Sequence, residues 1–194
     1  MNFEKALSEV SSHSAGGSPF LMAFGTTFII TAVLSFLLPD ETIALLAMFQ
    51  GGIALPASLW LEKRISWQRM SAENPLKRLS ALLAFSQAMA LPALIVIFNV
   101  NPRAIPIVLT SLAGVHFVPY AWLHRTNLYF ALAFALSAGG FGLQMLFGAT
   151  AFHFNLLFIG IAYWLTAPLV YRHAVKVTSS NQKLSNAIGG FLAK

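Results

Sequence analysis

Stretches of about twenty residues almost free of charge, separated by short links that hold nearly all the charge, narrow the choice of fold more than any other feature of this chain. A helix rises 1.5 Å per residue, so about twenty residues cross roughly 30 Å of hydrocarbon. Within lipid every backbone N–H and C=O must be satisfied internally, which leaves helices or closed barrels, and barrel strands would be short and alternating. Six such stretches, at 20–38, 42–61, 79–98, 104–123, 128–147 and 153–171, predict an all-α polytopic integral membrane protein, a six-helix transmembrane bundle over 20–171. Charged residues make up 9% of the chain, against roughly 25% in a soluble domain, too few to cover a globular surface. The chain has no cysteine, which removes disulfides and thiolate metal sites.

The formal charge of +6 is explained by where the basic residues fall, and it does not call for nucleic acid. Six crossings put both termini on one side. With that side cytoplasmic, eleven of the twelve Lys and Arg residues lie there, five of them (Lys63, Arg64, Arg69, Lys77 and Arg78) in the loop 62–78, and only Arg103 lies opposite. This is the positive-inside pattern, expected of a bacterial cytoplasmic (inner) membrane protein. Those five residues, with Arg125 and Arg172, are the candidates for contact with anionic lipid head groups.

Residues 1–19 carry Phe3, Ala6, Leu7 and Val10 at helical spacing, which predicts a short amphipathic helix lying on the membrane ahead of a Gly/Ser linker. Glu4 and Glu9 argue against a cleaved signal peptide. The tail 172–194 puts Leu184, Ile188, Phe191 and Leu192 on one stripe between Lys183 and Lys194, predicting a second interfacial helix.

No Asp, Glu, Lys or Arg falls in the middle of any segment. Carboxylate-driven coupling, a retinal-type Schiff base and the usual intramembrane hydrolase constellations all need such residues, or a nucleophile with its base, at depth. The polar residues that remain there are Gln50, Gln87 and His116, all near mid-segment, with Tyr120 one turn beyond His116. An amide or imidazole in hydrocarbon loses several kcal/mol unless it finds partners, so these residues should face inward. Interhelical hydrogen bonding alone accounts for the glutamines; an ionisable residue at that depth makes His116 the candidate functional group. Prolines Pro56, Pro92, Pro119 and Pro168 are expected to bend their helices, and Gly51-Gly52 and Gly139-Gly140 with Gly142 to allow close packing.

His124 and His173, at helix ends on the cytoplasmic side, could ligate a haem or metal, but snorkelling to the head groups suffices for them and no cofactor is expected. Three functions follow. The first is a transporter or channel for a small neutral or weakly ionisable solute, working as a homo-oligomer because six short helices enclose little space. The second is a sensor, lipid-binding or assembly protein acting through its basic face. An enzyme comes third, for want of a catalytic constellation.

Overall fold

The computed structural model describes residues 3–66 and 70–192, with side chains through residue 180. Among these the chain is helical throughout: α1 (Phe3–His13), α2 (Ser18–Leu34), α3 (Asp40–Phe49), α4 (Gly51–Ile65), α5 (Leu76–Ser86), α6 (Leu91–Val100), α7 (Ile105–Leu123), α8 (Asn127–Phe147) and α9 (Ala151–Leu192). Five stretches are long and apolar enough to cross a membrane: Ala15–Leu34, Asp40–Ile65, Leu76–Val100, Pro102–Leu123 and Asn127–Ser180. The last, at 54 residues, is too long for one crossing of roughly 30 Å. It comprises α8 and α9, joined at Gly148–Thr150, where Gly148 takes a positive φ of 55°.

The core lies between α2, α7, α8 and α9. One stripe of α9, from Phe152 through Leu156, Ile159, Tyr163, Ala167 and Val170, is buried along its length, with the three- and four-residue spacing of a single helix face. It meets Leu21 and Phe28 of α2, Phe117 of α7 and Leu136 of α8. Small residues set these crossings. A Cβ on Gly114 would lie 2.0 Å from Ser137 Oγ, and one on Gly140 would lie 2.4 Å from Thr110 Cγ2, so α7 and α8 approach closely only because both positions are glycine. Gly139 likewise makes room for Phe158 of α9.

The expectation for Gly51-Gly52 and for Gly142 is not met: none of the three has an atom within 4 Å of where a Cβ would stand. The stretches containing α3–α4 and α5–α6 are interrupted in mid-course. The first breaks at Gln50, between α3 and α4. The second breaks at Gln87 and passes through a 3₁₀ turn, Ala88–Ala90, into α6, with Pro92 in its first turn. Proline has no N–H and crowds the carbonyl four residues earlier, which accounts for the second break. Pro56 lies inside α4, six residues after the first break, and Pro119 and Pro168 lie inside α7 and α9. The Leu76–Val100 stretch is peripheral: 6% of its apolar window is buried, against 33–44% for the others.

The N-terminal helix forms, but it lies on the protein. Ala6, Leu7 and Val10 of α1 pack on Leu76 and Leu123, and Ser12 Oγ is 2.7 Å from Thr178 Oγ1 of α9. Of the apolar face read as membrane-seeking, Ala6, Leu7 and Val10 are thus covered by α5, α7 and α9, while Phe3 stays 52% exposed beside Trp122. At 42 residues α9 also runs well past the expected end at 171, and its extension is what α1 docks on. Arg69 and the side chains of Lys183, Leu184, Ile188, Phe191, Leu192 and Lys194 lie outside the described residues.

Candidate functional site

Each mid-segment polar side chain meets a neighbour at its own place in the bundle. Gln50, at the α3–α4 break, is 9% exposed and accepts a hydrogen bond from the Thr27 hydroxyl of α2 at 2.7 Å. Gln87, at the α5–α6 break, donates its Nε2 to the Leu112 carbonyl of α7 at 3.1 Å. His116 stands one turn further along α7, half-buried, with its ring 5.0 Å from that of Tyr120 and 5.5 Å from that of Phe117. Leu112, His116 and Tyr120, spaced four residues apart, form one partly exposed strip of α7. Gln87, His116 and Tyr120 therefore share that strip, whereas Gln50 engages α2 instead.

α4 packs on α2, while α5 packs on α1 and α7, and α4 and α5 share no packed face. Gly51 and Gly52, free of neighbours at Cβ, follow directly on Gln50.

Three hydrogen-bonded clusters were not evident from the sequence. The first is at the loop end of the bundle, where His124 was read as a head-group residue. It is 3% exposed, with Nδ1 3.0 Å from Ser11 Oγ of α1 and its ring against those of Tyr120 and Tyr129. Burial pushes its pKa down to about 4 from 6.5, and the charge of His173 acts in the same direction. The Tyr129 hydroxyl donates to the Gly16 carbonyl at 2.5 Å in the turn Ala15, Gly16, Gly17, whose φ values are all positive. Second, Asn74 donates to the Ala6 carbonyl at 3.0 Å and to Glu9 at 3.1 Å, binding the loop before α5 to α1. Arg125 pairs with Glu4 in the same region. The third lies at the opposite end, where Arg103 Nε meets Asp40 at 2.6 Å and His153 Nδ1 lies 2.7 Å from Ser35 Oγ. These pairings join residues 63 to 121 positions apart, and no local pattern announces them.

Among the described residues, no group of three or more His, Cys, Asp or Glu is placed to hold a metal ion. His173 stands alone in the other sense: its enclosed Nε2 has no hydrogen-bond partner among those residues. Lys63, Arg64, Lys77, Arg78, Arg125 and Arg172 are exposed, and the Arg64 guanidinium lies over the Trp60 ring at 5.3 Å.

Residues 3–173 match the profile of a family of unknown function (DUF7010). No curated protein and no solved structure matches the chain.

Proposed function

We propose, for a chain that belongs to the family of unknown function DUF7010, a transporter or channel passing a small neutral or weakly ionisable solute along the His116 strip. The observation that carries this reading is the pair of apolar helices whose regular hydrogen bonding is interrupted in mid-course at Gln50 and Gln87, with the backbone still right-handed helical at both. Backbone irregularity at membrane depth is tolerated where it lines a cavity or is buried in protein, and discontinuous helices mark the sites of many transporters. Here the breaks coincide with the two amides, one of them is followed by Gly51-Gly52 open at Cβ, and the other sits one turn from His116. His116 and Tyr120 supply groups that can donate and accept without carrying charge, which suits a neutral solute. Gln50 and Gln87 line the approach.

In this reading α8 and α9 are separate crossings. Six crossings form one transmembrane domain over 20–171, with an N-terminal segment and a basic tail on the same side. The ends of α4 and α7, the start of α5 and the Arg172 region of α9 then share the cytoplasmic face of a bacterial inner membrane, in accord with the positive-inside rule. Exposed Lys63, Arg64, Lys77, Arg78, Arg125 and Arg172 contact anionic head groups there, joined by Arg69. The nearly uncovered Leu76–Val100 stretch is the surface available to lipid or to a second copy in a homo-oligomer. The protein needs no cofactor for this role.

The absence of cysteine gives the test. Gln50→Cys, Gln87→Cys and His116→Cys, made singly and confirmed as folded, are exposed to a membrane-impermeant thiol reagent from each side of sealed vesicles. Labelling of all three is expected. If the folded variants stay unlabelled from both sides, the polar groups are interhelical hydrogen bonds only, and the basic face becomes the functional surface.

A further inference from the structure

At the end of the bundle opposite the basic loop, one buried amide has nothing to bond to. Asn155 of α9 is 0% exposed, and neither its Oδ1 nor its Nδ2 has a hydrogen-bond partner among the described residues. Burying an amide without partners is costly because its lost hydrogen bonds to water are not replaced, so an unpartnered one in a native core calls for an explanation. Thr110, which faces Gly140 together with Asn155, gives its hydroxyl to the Pro106 carbonyl of its own helix at 2.7 Å. Room for Asn155 comes from α8, where a Cβ on Gly140 would lie 3.1 Å from Asn155 Oδ1 and still closer to Thr110.

Directly beyond this layer is a cleft of about 360 Å³ lined by Asn101, Arg103, Ile107, Gln144 and Gly148 among others. The helices fix how far apart the two are. Ile107 precedes Thr110 by three residues on α7, and Gln144 follows Gly140 by four on α8. Each step is one helical turn of about 5.4 Å. The floor of the cleft is therefore one turn from the Thr110, Gly140 and Asn155 layer. The one charged group in its lining, Arg103, is paired with Asp40, and Gln144 Nε2 is given to the Gly148 carbonyl at 3.0 Å. This environment presents a carboxamide and no free charge.

We infer that the cleft and the Asn155 layer form one hydrated binding site, in which the Asn155 amide receives a small neutral molecule that carries both a donor and an acceptor. Water is the smallest such molecule; a carboxamide or alcohol of a few heavy atoms has the same chemistry. The amide oxygen accepts from the guest and Nδ2 donates to it, which supplies both missing hydrogen bonds. The inference does not rest on the His116 reading, because the two sites lie at different levels of α7 and their labelling is scored separately.

Iodoacetamide, itself a small neutral carboxamide, is the probe. In the cysteine-free chain, purified in lipid nanodiscs and monodisperse, Asn155→Cys is expected to alkylate at least tenfold faster than Leu156→Cys, whose side chain is equally buried one position along. Thr110→Cys, on the facing helix and nearly the same size as the residue it replaces, carries the test if Asn155→Cys does not fold. Filling the cleft with Ile107→Trp should return the rate to that of Leu156→Cys. Equal rates at Asn155→Cys and Leu156→Cys, or labelling that Ile107→Trp leaves unchanged, overturn the inference. The first outcome means a dry junction and the second a different entrance.

Discussion

Gly25 and Gly160 face each other where α2 crosses α9: a Cβ on Gly25 would lie 3.1 Å from the Gly160 carbonyl oxygen, and one on Gly160 would lie 3.0 Å from that of Gly25. Backbone meets backbone here, so the contact cannot relax by moving a flexible side chain. A Cβ at Gly160 would also come within 2.6 Å of Ile29 Cγ1. Gly160→Val should therefore force the helices apart at a cost of about 1–3 kcal/mol, the usual range for overpacking. Thermal unfolding in detergent, followed by tryptophan fluorescence, should show a lower midpoint. Gly52→Ala is the control, because open space surrounds Gly52 and the helix gains up to about 1 kcal/mol from losing a glycine. An unchanged midpoint in Gly160→Val would mean that α2 and α9 do not cross at these glycines.

His124 makes the fold sensitive to acid. Its folded pKa of about 4 lies below the ordinary 6.5 of the unfolded chain, so the unfolded state takes up a proton first. The contribution to stability is intact above pH 6.5 and is lost as pH falls toward 4, by at most about 3 kcal/mol. The melting midpoint should drop between pH 7 and 5, and His124→Phe should flatten that dependence while keeping the ring packed against Tyr120 and Tyr129. An identical pH profile in His124→Phe would assign the sensitivity to other groups.

The local chemistry of the chain made some of this visible and hid the rest for physical reasons. Apolar stretches of crossing length are a one-dimensional signal, and helices form where they predict, with most ends displaced by a few residues and α9 running on from 171 to Leu192. Gly139 and Gly140 do pack as expected because α8 neighbours both α7 and α9. Gly51, Gly52 and Gly142 do not, because no neighbour comes within 4 Å of their Cβ positions even though α4 packs on α2 and α8 on α7 and α9, and nothing in a glycine's sequence neighbours says which side of its helix will be covered. Depth along a segment suggested that Gln50, Gln87 and His116 could face each other; Gln87 bonds the Leu112 carbonyl, one turn before His116 on α7. Depth could not reveal that Gln50 turns toward Thr27, since it carries no information about direction around the helix axis. His124 looked like a head-group residue because its sequence neighbours are Trp122 and Arg125. Its burial is decided by α1, 113 residues away.

The Gln50 and Thr27 pair can be measured apart from any transport role. Thr27→Val and Gln50→Leu each remove one side of the 2.7 Å hydrogen bond, and each should lower stability by about 0.6–2 kcal/mol, the range for polar contacts between membrane helices. The double variant should be no less stable than the worse single one, because the second substitution no longer strands a partner. Chemical denaturation of the four proteins in mixed micelles gives the coupling. Strict additivity would mean that the two side chains do not act as a pair.

The docking of α1 on the bundle, as against an amphipathic helix resting on lipid, has a covalent test. Ser12 Oγ and Thr178 Oγ1 lie 2.7 Å apart across 166 positions of chain, and replacing both by cysteine brings two sulfurs close together for a bond that needs Cβ atoms roughly 4 Å apart. Ser12→Cys/Thr178→Cys should oxidise readily to an intramolecular bond, visible as a mobility shift reversed by reductant. Closing so long a loop should then raise the unfolding free energy by about 2–4 kcal/mol. No other cysteine is present to compete. A helix lying on the membrane would hold residue 12 away from α9, and the pair would stay reduced under mild oxidant. That outcome would release α1 from α9 and leave the Ser11 to His124 contact without support, so the acid sensitivity predicted above should disappear with it.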